Sequence, residues 1–241
     1  MMSLCVSIIE PRPLTNKINL LIKNVRDTLG DVPVFIFCGK SSIDRIEKDD
    51  NIELIKLEKD NYTSIEYCNL CKSDKFWDYI STDKILFMQT DGCLCTKSKY
   101  SIENFYHYDY IGGYASQSWW TKELRIANIK DNFKYQCLNG GFSLRNVEAC
   151  KNALKEFKPK QTIDYRKYTR NTKLADLFED LFFACAMHVL GYNIAQDYYS
   201  INFCTHTEYI KDTFCVHNLF KYKKDSSFLE YCPEYIDFVS A

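Results

Sequence analysis

The chain of 241 residues has no surplus of charge: 31 Lys and Arg stand against 32 Asp and Glu, a net charge of −1. A dedicated nucleic-acid binder usually carries a basic excess, so that class is set aside. No uncharged apolar run approaches the roughly 20 residues of a membrane helix. The longest uncharged stretch, Leu181 to Gln196, is interrupted by His188, Asn193 and Gln196. No signal peptide is expected, because Glu10 and Arg12 cut short the apolar run that follows Met1. A cytoplasmic protein without a membrane span is therefore the expectation. The chain also lacks a Gly-x-Gly-x-x-Gly after its first strand and any Walker-type loop, which weighs against other Rossmann-like enzymes such as methyltransferases and nucleotidyltransferases.

What is present is a globular composition, 46% hydrophobic and 26% charged, at a length suited to one large domain. The 12 cysteines are scattered singly apart from Cys68-x-x-Cys71 and Cys93-x-Cys95. A small disulfide scaffold would be shorter and richer in glycine. Reduced, buried thiols are expected instead, with zinc held between the two pairs as the minor alternative.

The first ninety residues alternate between strand and helix patterns. Leu4 to Ile9, Val32 to Cys38, Ile52 to Leu57 and Lys84 to Met88 read as strands. Between them, Ile18, Leu21, Ile22, Val25 and Leu29 mark a helix capped by Thr15 or Asn16 and stopped at Gly30. Residues 41–49 suggest a short helix and 62–80 an aromatic-rich one. This order predicts an α/β fold whose mostly parallel sheet carries helices on its faces. The second half is less regular. Short strands are expected at Tyr108 to Ile111 and Phe142 to Leu144, and helices at 146–156 and Leu174 to Leu190. Long loops are expected at 114–136 and 157–172, and an irregular aromatic tail at 198–241.

In such sheets ligands bind beyond the carboxyl ends of the strands, near a switch in strand order. The segments to examine are therefore Glu10-Pro11-Arg12, Gly39-Lys40 and Gln89-Thr90-Asp91-Gly92. A carboxylate such as Asp91 at a strand end suits a hard cation shared with a diphosphate, although Asp-Gly is also an ordinary turn. Asn139-Gly140-Gly141-Phe142-Ser143-Leu144-Arg145 contains paired glycines that let backbone approach a ligand, or that simply form a bulge. Glu179-Asp180 reads as a first helical turn, where acids are favoured by the dipole and one could act as a general base. His217 in Val216-His217-Asn218 becomes a metal-ligand candidate only in company. Trp119 and Trp120 offer flat faces for a sugar, or anchor their loop. Arg145, Lys40 and the basic stretch 158–173 could meet phosphates.

Taken in order, Gln89-Thr90-Asp91-Gly92, Asp109-Tyr110-Ile111-Gly112, the Asn139–Arg145 segment, Glu179-Asp180 and Val216-His217 resemble a domain family of formally unknown function placed among the GT-A-type glycosyltransferases. Its members occur in large DNA viruses, fungi and some bacteria. Glu10-Pro11-Arg12-Pro13-Leu14 and Asn24-Val25 are similar to that family's start, and the resemblance runs from about residue 5 to 222.

The resemblance implies one GT-A-like (Rossmann-like) domain over 1–241, with a nucleotide-binding half (1–92), an acceptor-side half (93–222) and a C-terminal tail (223–241). It implies transfer of a sugar from a nucleoside-diphosphate sugar, UDP-linked first of all, to a glycan or protein hydroxyl. Mn²⁺ or Mg²⁺ would be held by Asp91 and His217. The first Asp of the usual Asp-x-Asp is Gln89 here, and the family's Gly before Val-His is Cys215. The donor would be met by Pro11, Arg12, Lys40, Gln89, Thr90, Asn139, Gly140 and Gly141, and the acceptor by Trp119 and Trp120. Glu179 and Asp180 would be the catalytic acids. Asp180 is the general base if the reaction inverts, or an acceptor-orienting group if it retains. The missing first Asp leaves a non-catalytic carbohydrate- or nucleotide-binding module as the alternative.

Overall fold

The computed structural model describes residues 2–115, 136–158, 178–196, 198–223 and 226–240. Strand β1 (Leu4–Glu10) is buried along its whole length. It lies between β2 (Val34–Cys38) and β4 (Lys84–Met88), both parallel to it, with Val6 beside Val34 and Ile8 beside Met88. A strand covered on both faces must be apolar throughout, which is why Leu4-Cys5-Val6-Ser7-Ile8-Ile9 reads as a run and not an alternation. β3 (Ile52–Lys56) closes this side in parallel, with a half-buried edge.

Helix α1 (Thr15–Leu29) buries Ile18, Leu21, Ile22 and Val25. Thr15 is its first residue and not its cap, since Leu14 holds that position. The helix expected over 62–80 is two: α2 (Ser64–Cys71), opened by a Thr63–Glu66 capping box, and α3 (Asp74–Asp78), whose Phe76 N–H is accepted by the Ser73 hydroxyl. Ser73 competes for the backbone and restarts the helix. The short helix expected at 41–49 is one turn, Ile43–Arg45.

After β5 (Gly92–Leu94) and β6 (Tyr110–Tyr114) comes β7 (Cys137–Asn146), far longer than the three residues expected. It runs antiparallel to both β4 and β6 and is bulged against β6 at Gly112 and Gly113. Helices α4 (Val147–Glu156) and α5 (Glu179–Val189) follow. The tail expected to be irregular is structured: β8 (Cys204–Thr205) and β9 (Cys215–His217) join the sheet, and α6 (Leu219–Tyr222), α7 (Ser227–Tyr231) and α8 (Tyr235–Ser240) pack behind it.

The strand order is β3-β2-β1-β4-β7-β6-β8-β9-β5. Only β7 and β5 run against the rest, so the sheet is mostly parallel, as expected. One face buries Val6, Ile8, Leu86, Phe142 and Leu144 under α1 and the C-terminal helices. The other buries Phe37, Phe76, Trp77, Phe87 and Phe183 under α2 to α5. Each such side chain contributes about 1.5–3 kcal/mol on burial. All 12 cysteines are buried, and none is in a disulfide. Between β1 and β4 the chain order reverses direction across the sheet, and this is where a doubly wound fold opens its ligand crevice.

Candidate active site

A cleft of about 600 Å³ lies at that reversal. Of the expected donor-side residues, Pro11, Arg12, Gln89, Asn139 and Gly141 line it, together with Glu179 and Asp180. β1 and β4 deliver the first three. β7 delivers the next two because it runs backwards: its start returns to the carboxyl end of β4, where Gln89 N–H donates to Gly141 O at 2.9 Å. Thr90, Asp91, Gly140 and His217 stand beside the cleft without lining it, and Lys40 is exposed and also outside the lining. Trp119, Trp120 and most of the basic stretch 158–173 lie outside the described residues.

At the floor, Glu10 is buried and fully engaged. Arg12 donates to it twice, Nε at 2.7 Å and Nη2 at 2.6 Å, and the Thr90 hydroxyl donates to the same carboxylate. Thr90 therefore locks β4 to β1 and does not face a ligand. Arg12 is half in the open, its charge held over the cleft. Gln89, standing where the family has a carboxylate, donates from Nε2 to Tyr67 OH at 3.1 Å.

Asp91 ends the turn after β4, and β9 brings His217 to it, with Nε2 and Oδ1 3.0 Å apart. Both atoms are buried, and neither forms a well-aligned hydrogen bond. Burial alone would raise the Asp91 carboxyl. The charge and close contact of His217, with Arg12 beyond, outweigh that and hold it at about 2. On the ring's other side, Nδ1 lies 2.7 Å from Asn139 Oδ1, the same oxygen that accepts the Gly141 N–H at 3.1 Å. An amide oxygen already facing a backbone donor can only accept, so Nδ1 carries a proton and Nε2 points to Asp91. His206 stacks on the ring at 4.9 Å and 10°.

The second acidic centre lies across the Asn139–Gly141 backbone. Glu179 is buried against Arg145, Nη1 to Oε2 at 2.6 Å, and Arg145 is itself wholly buried. Arg145 lies outside the cleft lining, and the Glu179 carboxylate, although Glu179 borders the cleft, is engaged by Arg145. Asp180 faces the cleft. Its Oδ2 accepts from Gly140 N–H at 3.3 Å and its Oδ1 from Leu181 N–H at 2.8 Å. Burial first, and then the Glu179 charge, push its carboxyl up to about 7.

The paired glycines are explained by these neighbours. A Cβ on Gly141 would stand inside the His217 ring, and one on Gly140 would lie 2.9 Å from Asp180 Cβ and 3.0 Å from Arg145 Nη2. The glycines let two protein side chains close on one backbone ridge, and only Gly141 also lines the cleft. Lys221, from α6, and Tyr67, from α2, line the cleft as well and were not singled out from sequence. Lys221 lies four residues after His217, and that spacing was the available signal.

Among the described residues no group of three or more His, Cys, Asp and Glu is placed to hold a metal. Asp91 and His217 can supply one oxygen and one nitrogen donor, with the imidazole already oriented from behind; the charged His217 that holds Asp91 low carries a proton on Nε2, and a cation would take that proton's place. That donor set fits a divalent cation whose remaining positions are filled by diphosphate oxygens and water. It is also too small to form a closed metal site by itself.

This is the fold of the GT-A-type glycosyltransferases. The chain superposes on galactosyltransferase LgtC, solved with donor and acceptor sugar analogues, over 99% of its own length and 94% of that chain, with a TM-score of 0.55 at 12% identity. It superposes likewise on the bifunctional glycosyltransferase WbbM, TM-score 0.52 at 11% identity, where 99% of this chain covers 49% of the other. At such identities the likeness is one of fold. By sequence the chain belongs to DUF5672, a family of proteins of unknown function, whose model matches residues 51–217. No curated protein matches it. Among the described residues no helix is long and apolar enough to cross a membrane.

Proposed function

We propose that the protein is a metal-assisted glycosyltransferase that moves a sugar from a nucleoside-diphosphate donor, a UDP-sugar first of all, to a hydroxyl of a glycan or protein. The observation that carries this reading is the pairing of two differently tuned carboxyl groups on either side of the Asn139–Gly141 backbone: Asp180, near neutrality, lines the cleft, and Asp91, held low, adjoins it through His217 and Asn139. The likeness in fold to two glycosyltransferases supports it. Residues 1–92 would supply most of the donor side, 93–222 the acceptor side, and 223–241 the backing of β5.

In this reading Asp91 and His217 hold Mn²⁺ or Mg²⁺, which would stabilise the charge gathering on the departing diphosphate. Arg12 and Lys221 add positive charge on the same side. Tyr67 and Gln89 form a neutral hydrogen-bonding wall for the donor. An acceptor hydroxyl is too weak an acid to ionise unaided at neutral pH, so Asp180 takes its proton as it attacks. A group titrating near 7 suits that task at that pH. If the reaction retains configuration, Asp180 orients the acceptor instead.

The experiment is a thermal-shift series with UDP, GDP and CMP, each with and without Mn²⁺, followed by a donor screen for nucleotide release. A ligand that binds only the folded chain raises its apparent stability. The expected result is a shift with one nucleoside diphosphate that grows with Mn²⁺, and steady nucleotide release from its sugar. One observation favours a second reading: Gln89 gives the metal no second carboxylate. A nucleotide shift without turnover on any donor and acceptor would select the non-catalytic binding module.

A further inference from the structure

Arg145 never reaches the cleft, yet it touches both walls that shape it. Its guanidinium is 0% exposed and lies 4.0 Å over the Phe87 ring, with Tyr110 at 5.1 Å and Phe183 at 5.3 Å. From there it reaches in two directions. Nη1 contacts Glu179, the first residue of α5, at 2.6 Å. Nε donates to Ser143 Oγ at 2.9 Å, and Ser143 Oγ donates to Gly140 O at 3.2 Å. The Gly140 N–H then donates to Asp180 Oδ2. The loop of contacts closes on one carboxylate: Arg145 to Glu179 and Asp180 by way of α5, and Arg145 to Ser143, Gly140 and Asp180 by way of β7.

A dry ion pair is a costly way to join a strand to a helix. Taking both charges out of water offsets most of their attraction, and apolar residues of similar size often serve stability as well or better. The first turn of α5 has no side-chain cap, because Phe178 occupies that position. What fixes that turn from its own side chains is Glu179. Gly140 is packed so closely against Glu179, Asp180 and Arg145 that the ridge cannot shift without them.

We propose that Arg145 is the positioning residue for Asp180: with Glu179 and Ser143 it forms a buried clamp that sets the first turn of α5 against Gly140, so that the Asp180 carboxyl faces the cleft. The clamp differs from the donor-side residues in that Arg145 and Ser143 lie outside the cleft lining and the Glu179 carboxylate is engaged by Arg145. The inference rests on the reading of Asp180 as the group that meets the acceptor. The groups that face Asp180 are Glu179 on its own helix, Arg145 on β7, Cys68 on α2 and Tyr110 on β6.

The test removes the clamp without leaving a lone buried charge. In the full chain, the paired substitution Arg145→Met with Glu179→Met is compared with Asp180→Asn and with all three together. The first readout needs no turnover: the carboxyl ¹³C signal of Asp180, assigned by its loss in Asp180→Asn, is followed against pH. With the clamp removed and the circular dichroism spectrum and melting temperature retained, the midpoint is expected to fall by at least one pH unit; because loss of the Glu179 charge lowers it by itself, repositioning is read from Ser143→Ala, which keeps both charges. An unchanged midpoint overturns the proposal whether or not the chain is an enzyme. The Ser143→Ala variant, which cuts only the β7 arm, is expected to shift the midpoint in the same direction by a smaller amount, and provides the test if the paired variant fails to fold. The second readout is a cycle of turnover numbers. Clamp removal is expected to lower kcat roughly 10-fold or more with the UDP–Mn²⁺ affinity unchanged, and to have no further effect in the Asp180→Asn background. Additive losses would show a merely structural pair and overturn the assignment.

Discussion

Asp91 and Asp180 carry the same carboxyl group and are separated by three residues of backbone, Asn139 to Gly141, but the fold treats them in opposite ways. Both are partly buried, and for both that alone favours the neutral acid. Asp91 then meets His217, with Arg12 beyond, and is held at about 2. Asp180 has the Glu179 charge for a neighbour and is pushed up to about 7. Arg145 cannot reverse this, since its charge is already engaged by Glu179. Two acids whose environments drive them apart can hold different states at one pH, and so different roles. The one that stays charged is suited to a cation. The one that balances near neutrality is suited to move a proton.

The largest effect should come from the proton side. Asp180→Asn keeps the shape and one acceptor oxygen but cannot take a proton, so turnover should fall by roughly 10²–10⁴-fold, the usual contribution of a general base. Nucleotide affinity should stay within about twofold, because Asp91, His217, Arg12 and Lys221 are untouched. Steady-state kinetics beside calorimetric titration with UDP and Mn²⁺ measure both. An equal loss in both would merge the two centres into one and end the comparison.

Asp91→Ala should do the reverse. The gain in nucleotide affinity on adding Mn²⁺, about 10–100-fold for a well-built ligand pair, should disappear while affinity without metal changes little. Because His217 and Asp91 are in contact, Asp91→Ala with His217→Ala should cost no more than either alone.

Gly141→Ala tests the ridge that keeps the centres apart. The added methyl would stand in the His217 ring, and Gly141 O also holds Gln89. Forced overpacking of this kind costs about 1–3 kcal/mol. The Mn²⁺-dependent shift should be lost along with that stability. Asp180 lies beyond Gly140, so its titration should be spared.

How much of this was legible in the sequence differs between the two halves of the sheet. β1, β2 and β4 lie in the parallel part, buried on both faces, so they stand out as apolar runs, while β3 at the half-buried edge shows as an alternation. β7 was read as three residues because its first half, Cys137-Leu138-Asn139-Gly140-Gly141, carries two glycines and an Asn where strands avoid them. Those glycines are there for the side chains that press on them. β5, β8 and β9 are two or three residues long, shorter than any periodicity can reveal, and they form through the register of their neighbours. The site residues were legible as an ordered set, but not their division of labour. Arg145 read as a phosphate contact and is the most buried charge of the set. Glu179 and Asp180 read as a pair, and both border the cleft, but the Glu179 carboxylate is taken up by Arg145. Alternation of one residue cannot show which of two adjacent acids turns inward.

A smaller effect follows from the raised carboxyl of Asp180. Its folded value of about 7 lies above the ordinary Asp value of 3.8. The folded chain thus holds this proton more tightly than the unfolded chain. The stability it brings is fully present below about pH 4 and is lost as pH rises through about 7. Asp180→Asn cannot ionise, so relative to wild type it should gain up to about 4 kcal/mol at pH 8 and nothing of this kind at pH 4. Urea titrations at the two pH values read the difference. The Asp91 carboxyl has the opposite sign, its stabilisation present above pH 4 and lost towards pH 2, so the same titrations on Asp91→Asn should show wild type losing its advantage in acid.

The smallest expected effect bounds the cleft on its β2 side. Lys40 follows Gly39 after β2, level with Pro11, and from sequence it belonged with the phosphate-binding residues. Gly39 packs against Pro11 O and the Asp60 carboxylate, and this contact turns the chain away, leaving Lys40 exposed beyond the lining. A solvated lysine outside the cleft adds little to a diphosphate at the salt of a cell, where charges are screened over about 8 Å. Lys40→Ala should therefore change UDP affinity by less than about twofold and stability by less than about 0.5 kcal/mol. Arg12→Ala measured alongside removes a cation that does line the cleft, and should weaken UDP by more. If Lys40→Ala were instead to cost tenfold or more, the donor would have to lie across the end of β2 as well as β1 and β4. Asp91 would then meet only one end of a longer anion, and the contrast between a charged centre and a neutral one would need a third, basic, centre beside it.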